Sequence, residues 1–230
     1  MWDILLNNMN FKKNGYTIIK KAISSEIADF VYKYFLLKRR VTQTLFETRY
    51  ISPMTDYFGV WTDQQVMGTY SHYSDIAMET LLHEVKPVME KHSGLKLIET
   101  YSYARIYKKG DVLDRHKDRF SCEISTTLNL GGDPWPIFIN SKKEEGGLIE
   151  GKGYVPSNSK GIKVDLNPGD MLMYKGNLLE HWRESFKGED CGQVFLHYNN
   201  ASTKGAKENM YDSRPHLGLP AHFKKNRDNL

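Results

Sequence analysis

Beyond residue 95 the chain is never allowed to run straight for long. Turn clusters stand at Lys109-Gly110-Asp111, Gly131-Gly132-Asp133-Pro134, Gly146-Gly147 and Asn167-Pro168-Gly169-Asp170. Each carries the glycine, proline or aspartate that reverses a backbone. Short apolar or alternating runs lie between them, and they read as strands over 96–107, 123–130, 135–139, 161–166, 171–174, 180–184 and 193–199. Connections this short join antiparallel neighbours. The expectation is a mainly β chain, an antiparallel β-sandwich with helices packed on one face.

The helices come first. Ser24 or Ser25 offers an N-cap to a helix through about residue 37, with Ile27, Phe30, Val31 and Tyr34 as its packed stripe. Asp75 caps a second helix, striped by Met78, Leu81, Leu82, Val85, Val88 and Met89 and stopped by Gly94, with Pro87 expected to kink it. Gly15 to Ile19 reads as a short strand. Residues 39–74 show no period and read as a lid or binding loop where substrate contacts fall. The polar stretch 201–230, with its basic end Lys224-Lys225-Asn226-Arg227, reads as a solvated, partly frayed tail. No repeat or linker divides the chain. We therefore expect one domain over 1–230: helical support and lid loop over 1–95, the β core over 96–200, and the tail over 201–230.

Several function classes are excluded. A net charge of +4 on 230 residues is too weak a field to call for nucleic acid or an anionic membrane. No run approaches the ~20 apolar residues of a membrane span. Two cysteines, Cys122 and Cys191, cannot make a disulfide scaffold or a zinc ribbon, and they read as small buried hydrophobes. The start, Met1 to Asn8, lacks the basic and apolar regions of a secretory signal, so a cytoplasmic location is expected. Gly146 to Gly153 nearly spells a phosphate-binding loop. It has Gly153 where Ser or Thr should follow Lys152, and no helix start comes after it, so it reads as a turn.

The chemistry lies in His116-Lys117-Asp118. Residues i and i+2 on a strand face the same way, so an imidazole and a carboxylate can hold one cation. A third ligand should come from a later strand, with His181, His197, His216 and His222 as candidates. His181 follows a tight turn and the apolar run Met171 to Tyr174, which places it on or near the next strand of a sandwich. Two histidines and a carboxylate suit non-haem Fe(II) with open positions. Zinc also accepts such ligands, but the helix-borne His-Glu-x-x-His pattern is absent. His197 reads as a satisfied interior histidine. Trp135, Trp182, Tyr101 and Tyr103 read as core, with pocket lining as the alternative.

These pieces, in this order, resemble the 2-oxoglutarate/Fe(II)-dependent dioxygenases, in the branch of prolyl 4-hydroxylase-like catalytic domains. The matching features are Tyr107 nine residues before His116, the glycine turn between them, His116-x-Asp118, the strand Ser125-Thr126-Thr127-Leu128-Asn129-Leu130, the Pro168-Gly169-Asp170 turn, and His181. The resemblance covers about residues 96–200. It implies a double-stranded β-helix (jelly-roll) core with iron at its open end, held by His116, Asp118 and His181. Tyr107 would bond the distal carboxylate of 2-oxoglutarate. Fe(II), 2-oxoglutarate and O2 would hydroxylate an unactivated C–H bond with release of succinate and CO2. Asp118 argues for hydroxylation, because members that halogenate lack that carboxylate. The family-level substrate is a peptidyl proline or other protein; a small molecule or modified nucleobase is the alternative.

The chain departs from the family at one point. An Arg or Lys about ten residues after the last histidine usually pairs with the cosubstrate's far carboxylate, and here that stretch is Asp190-Cys191-Gly192-Gln193. A buried carboxylate needs a partner. Arg183, two residues after His181 and so on the same strand face, is the first choice. Arg105, which shares the parity of Tyr107, is the second. Two other readings stand beside the oxygenase: a metal-binding, cupin-like jelly-roll with another activity, and a non-catalytic β-sandwich that binds a partner.

Overall fold

The computed structural model describes residues 10–52 and 55–224. The expectations on Met1 to Asn8 and on Lys225, Asn226 and Arg227 lie outside the described residues. Twelve strands are described: β1 (Tyr16–Ile19), β2 (Tyr70–Tyr73), β3 (Leu97–Lys108), β4 (Leu113–His116), β5 (Ile124–Gly132), β6 (Ile137–Ile139), β7 (Gly147–Ile149), β8 (Gly153–Val155), β9 (Ile162–Val164), β10 (Met171–Tyr174), β11 (His181–Arg183) and β12 (Asp190–Asn200). One sheet runs β1-β10-β5-β12-β3-β2, a second runs β4-β11-β6-β9, and β7 and β8 form a separate hairpin. From β3 to β12 the chain passes repeatedly from one main sheet to the other, the winding of a double-stranded β-helix. Side chains of both sheets meet in shared apolar clusters, Ile137 and Ile139 with Leu172 and Tyr174, and Leu113 with Tyr107 and Phe195.

Three helices are described: α1 (Phe11–Asn14), α2 (Ser25–Glu47) and α3 (Ile76–Ser93). Helix α2 packs on β5, and α3 on β3 and β12. They cover the outer face of the six-stranded sheet in the largest apolar cluster, which leaves its inner face to the barrel interior. Gly192 lets α2 come close, since a Cβ there would stand 2.5 Å from the Tyr32 ring. Caps act where the sequence places them: Ser24 accepts from Ile27 N and Asp75 from Met78 N, and Gly94 closes α3 in the left-handed conformation.

The structure corrects several expectations. Helix α2 continues to Glu47, ten residues past the expected end, and β2 claims residues 70–73. The irregular segment is therefore 48–69 and not 39–74. The packed face of α2 is Ala28, Val31, Phe35 and Thr42, while Ile27 and Phe30 are 48% and 72% exposed. The Lys38-Arg39-Arg40 run hid the continuation. Two of those charges are consumed laterally, Lys38 by Asp75 and Arg39 by Asp190, and Thr42 satisfies its hydroxyl on Lys38 O and Phe58 O. Pro87 lies within α3, which continues to Ser93. The phosphate-loop decoy is the β7–β8 hairpin.

Residues 201–224 are no frayed tail. Arg214 is buried against Glu79, 2.7 Å away. Asp212 takes both terminal nitrogens of Arg119 at 2.7 Å, and Asn209 bonds Ser121 and Asn199. The segment reads as polar because its charges find partners far away in sequence. Both cysteines are buried and free. No helix among the described residues is long and apolar enough to cross a membrane.

Candidate metal centre

Strands β4 and β11 pair antiparallel with His116 directly opposite His181, and the two rings lie 4.2 Å apart. Each ring is fixed by its own strand. His116 Nδ1 is 2.7 Å from Asp114 O and His181 Nδ1 is 3.0 Å from Leu179 O. A carbonyl only accepts, so Nδ1 carries a proton and Nε2 is the nitrogen left to face a cation, whether a proton or a metal ion. Both Nε2 atoms stand 3.5 Å from the same Asp118 Oδ1. The ligand atoms of His116, Asp118 and His181 all lie within 4.8 Å of one another.

Asp118 is held from behind. Its N–H donates to Gly176 O at 2.9 Å, and its Oδ2 accepts from the Ser125 hydroxyl at 3.0 Å. Gly176 leaves room for this: a Cβ there would meet Cys122 O at 2.5 Å, Ser125 Oγ at 2.6 Å and Asp118 Oδ2 closer still. Burial opposes ionisation of Asp118, yet the charge of His181 and the hydrogen bonds from both histidines hold its carboxyl well below the usual range. Burial likewise disfavours a charged His116, but the bond to and charge of Asp118 outweigh it and raise its pKa. The carboxylate thus stays ionised between two imidazoles, a donor set that fits a divalent transition metal with sides left open.

A cavity of about 330 Å³ opens over the cluster. Its wall is the inner face of the six-stranded sheet, with Tyr101, Tyr103 and Arg105 from β3 and Phe195 and His197 from β12. Asp63 and Gln65 reach in from the irregular segment. Asp63 pairs with Arg105 and accepts from Tyr103. Gln65 accepts from Arg105 at 2.7 Å and places its amide nitrogen 3.1 Å from His116 Nε2. His197 is buried, with Nδ1 2.9 Å from Ser125 Oγ. Desolvation pulls its pKa down to about 4.

The two candidate cations differ in their partners. Arg105 already has a carboxylate, Asp63, and also reaches Tyr107 Oη at 3.3 Å. Burial works against its charge, but Tyr107, Tyr103 and Asp63 together raise its pKa. Arg183 is buried with neutral partners only: Trp135 O, Thr127 Oγ1 at 3.1 Å and Gln193 Oε1 at 3.2 Å. Its Nε has no partner, and burial lowers its pKa. A buried cation without an anion is costly. Tyr107 is fully buried, edge-on to Trp135.

Some cavity residues carried no signal of their own. Tyr174, at the end of β10, stacks 4.6 Å from His181 and fronts the cavity. Its hydroxyl makes no hydrogen bond to a described residue. Ser125 and Gly176 position Asp118, which no spacing rule shows. Of the aromatics, Tyr101 and Tyr103 line the cavity. Trp135 packs on Tyr107 and Phe186, and Trp182 lies between Phe138 and Arg115, away from the cluster.

No family model matches the chain, and no curated protein matches it. Solved structures do. A prolyl-4-hydroxylase of Pseudomonas putida is 13% identical over 88% of this chain and 100% of that one, with a TM-score of 0.55. The non-haem alpha-ketoglutarate-dependent epimerase SnoN of nogalamycin biosynthesis is 12% identical over 98% and 95%, with a TM-score of 0.60. HygX of Streptomyces hygroscopicus, solved with nickel and 2-oxoglutarate, is 13% identical over 84% and 85%, with a TM-score of 0.53. At these identities the likeness is one of fold. The chain has the jelly-roll fold of the 2-oxoglutarate/Fe(II)-dependent oxygenases, prolyl 4-hydroxylases included.

Proposed function

We propose that the protein is an Fe(II)- and 2-oxoglutarate-dependent oxygenase that hydroxylates an unactivated C–H bond, consuming O2 and releasing succinate and CO2. One observation carries the reading: two imidazole Nε2 atoms, each with its tautomer fixed by a backbone carbonyl, converge at 3.5 Å on one oxygen of an ionised carboxylate. His116, Asp118 and His181 would hold the iron. The bound iron and cosubstrate supply the oxidising chemistry. The chain supplies position, charge and a shielded cavity.

For the far carboxylate of 2-oxoglutarate, Arg183 is favoured over Arg105. Arg105 is neutralised by Asp63, whereas Arg183 meets only neutral acceptors. The cavity lining includes Arg105 and not Arg183, but Arg183 lies beside the β12 stretch where the resemblance expects the family's cation. It contacts Gln193 and lies near enough to Cys191 for the two to shift each other's pKa. These are the β12 positions where the resemblance expects an arginine or lysine. Tyr107, whose hydroxyl accepts from Arg105 at 3.3 Å, and Tyr174, which fronts the cavity, would add hydroxyl groups.

The substrate is a peptide side chain or a small molecule. The fold is shared with a prolyl-4-hydroxylase, with SnoN, solved with nogalamycin RO, and with HygX, solved with hygromycin B. The test is O2-dependent conversion of 2-oxoglutarate to succinate with added Fe(II), which His116→Ala and Asp118→Ala should abolish. Equal turnover in those variants, or Fe(II)-independent turnover in the wild type, refutes the proposal.

A further inference from the structure

One wall residue of the cavity has unspent hydrogen-bonding capacity whose sign can be worked out. His197 is 5% exposed, stacks 4.5 Å from Tyr101, and sets Nδ1 2.9 Å from Ser125 Oγ. That hydroxyl has two further neighbours, Asp118 Oδ2 at 3.0 Å and Cys122 O at 2.9 Å. Both are acceptors, and Ser125 has a single proton to give. If it gave that proton to His197, the carboxylate and the carbonyl would each face a bare oxygen lone pair. The satisfied arrangement runs the other way. His197 Nδ1–H donates to Ser125, and Ser125 donates onward. His197 Nε2 therefore bears a lone pair. It has no hydrogen-bond partner among the described residues, and its ring fronts the cavity beside the metal-ligand cluster.

Tyr101, Tyr103 and Phe195 line the same inner sheet face together with Arg105, which lies over the Tyr103 ring. Arg105 is already paired with Asp63, though its Nε has no partner among the described residues. An acceptor on an aromatic wall calls for a ligand with a C–H surface and a hydrogen-bond donor. We propose that His197 determines specificity by accepting, through Nε2, a hydrogen bond from an O–H or N–H of the substrate, so that the site selects a hydroxyl- or amide-bearing molecule over a hydrocarbon or ether. This inference rests on the oxygenase reading above. Its physical basis is that a donor buried against this wall without a partner forfeits its hydration, and that a site built around such a bond rejects the analogue lacking it.

Two substitutions separate this role from structural support. His197→Asn keeps an N–H able to reach Ser125 and removes the acceptor at the Nε2 position. His197→Gln returns an amide oxygen near that position. The probes are matched pairs, cyclic alcohols with their O-methyl ethers and secondary amides with their N-methyl forms, scored by stimulation of succinate release above the level without probe. Co(II) absorption and 2-oxoglutarate affinity are read in parallel.

At least one free-donor probe should stimulate the wild type, with its methylated partner about ten- to a hundred-fold less effective. His197→Asn should lose that response by a similar factor while the Co(II) spectrum is retained, and His197→Gln should recover part of it. Whether the alcohol or the amide arm responds identifies the donor. Equal potency of the methylated partner, a wild-type response in His197→Asn, or no response to any probe in a protein that binds Co(II) and 2-oxoglutarate overturns the inference. A wild type that binds neither Co(II) nor 2-oxoglutarate instead overturns the oxygenase reading.

Discussion

Gly176→Ala is the smallest change that should disable the centre without touching a ligand. The added methyl would stand 2.5 Å from Cys122 O and 2.6 Å from Ser125 Oγ, and nearer still to Asp118 Oδ2. Ordinary contacts begin near 3.4 Å, so these groups must yield by about 1 Å. Cys122 O belongs to the backbone and Gly176 is itself tied through its N–H to Glu123 O. The carboxylate of Asp118 is the part free to move. Moving it breaks the Ser125 bond and carries Oδ1 away from the two Nε2 atoms. Disturbing such outer contacts typically lowers metal affinity by about ten- to a hundred-fold, and overpacking costs about 1–3 kcal/mol in stability. Co(II) titration followed by absorbance measures the first effect, and urea unfolding the second. Gly147→Ala is the control, because a Cβ there meets nothing within 4 Å and its φ is not positive. Wild-type Co(II) affinity in Gly176→Ala would refute the packing argument.

Three further outcomes are expected. His197 has a folded pKa of about 4 against roughly 6.5 unfolded. The fold prefers its neutral form, so stability is full above pH 6.5 and falls as the unfolded chain takes up a proton between pH 6.5 and 4. The loss is at most about 3 kcal/mol. Urea unfolding across that window should show a steeper slope in the wild type than in His197→Phe; equal slopes contradict the assignment. Glu79→Gln strands Arg214, a pair with side chains 2% and 0% exposed, and should cost about 3–5 kcal/mol of unfolding free energy. A change under about 1 kcal/mol would mean the segment after residue 200 is not docked as described. Arg183→Met should raise the 2-oxoglutarate dissociation constant by about a hundred-fold or more, as expected for loss of a buried charge pair, and Arg105→Met far less; the reverse order reassigns the cosubstrate cation.

The site was legible where strand geometry alone decides. His181 follows the turn at Pro168-Gly169-Asp170 and an apolar strand, and it pairs opposite His116; Asp118 lies two residues past the end of β4 and is aimed by Gly176 O and Ser125 instead. Parity also turned Arg183 inward, toward Thr127 and Gln193. What the sequence hid depends on contacts across long separations. Asp63 meets Arg105 from a segment with no period, and the Arg105 charge is spent there. The outer stripe of α2 looked packed because Ile27 and Phe30 are apolar, but the sheet accepts the neighbouring face of Ala28, Val31 and Phe35. Residues 201–224 looked solvated because Asp212 and Arg214 are charged, while Arg119 and Glu79 bury them. Composition describes a residue's cost of burial; it does not describe the partner that offsets it.

One centre should bind metal and 2-oxoglutarate together, with Arg183 as the distal anchor. Calorimetric titration of 2-oxoglutarate into the Mn(II)-loaded protein tests it most directly. One molecule should bind per chain, with little binding without metal or in Asp118→Ala and marked weakening in Arg183→Met. Binding of equal strength with and without metal, or none to the Mn(II)-loaded wild type, would contradict it.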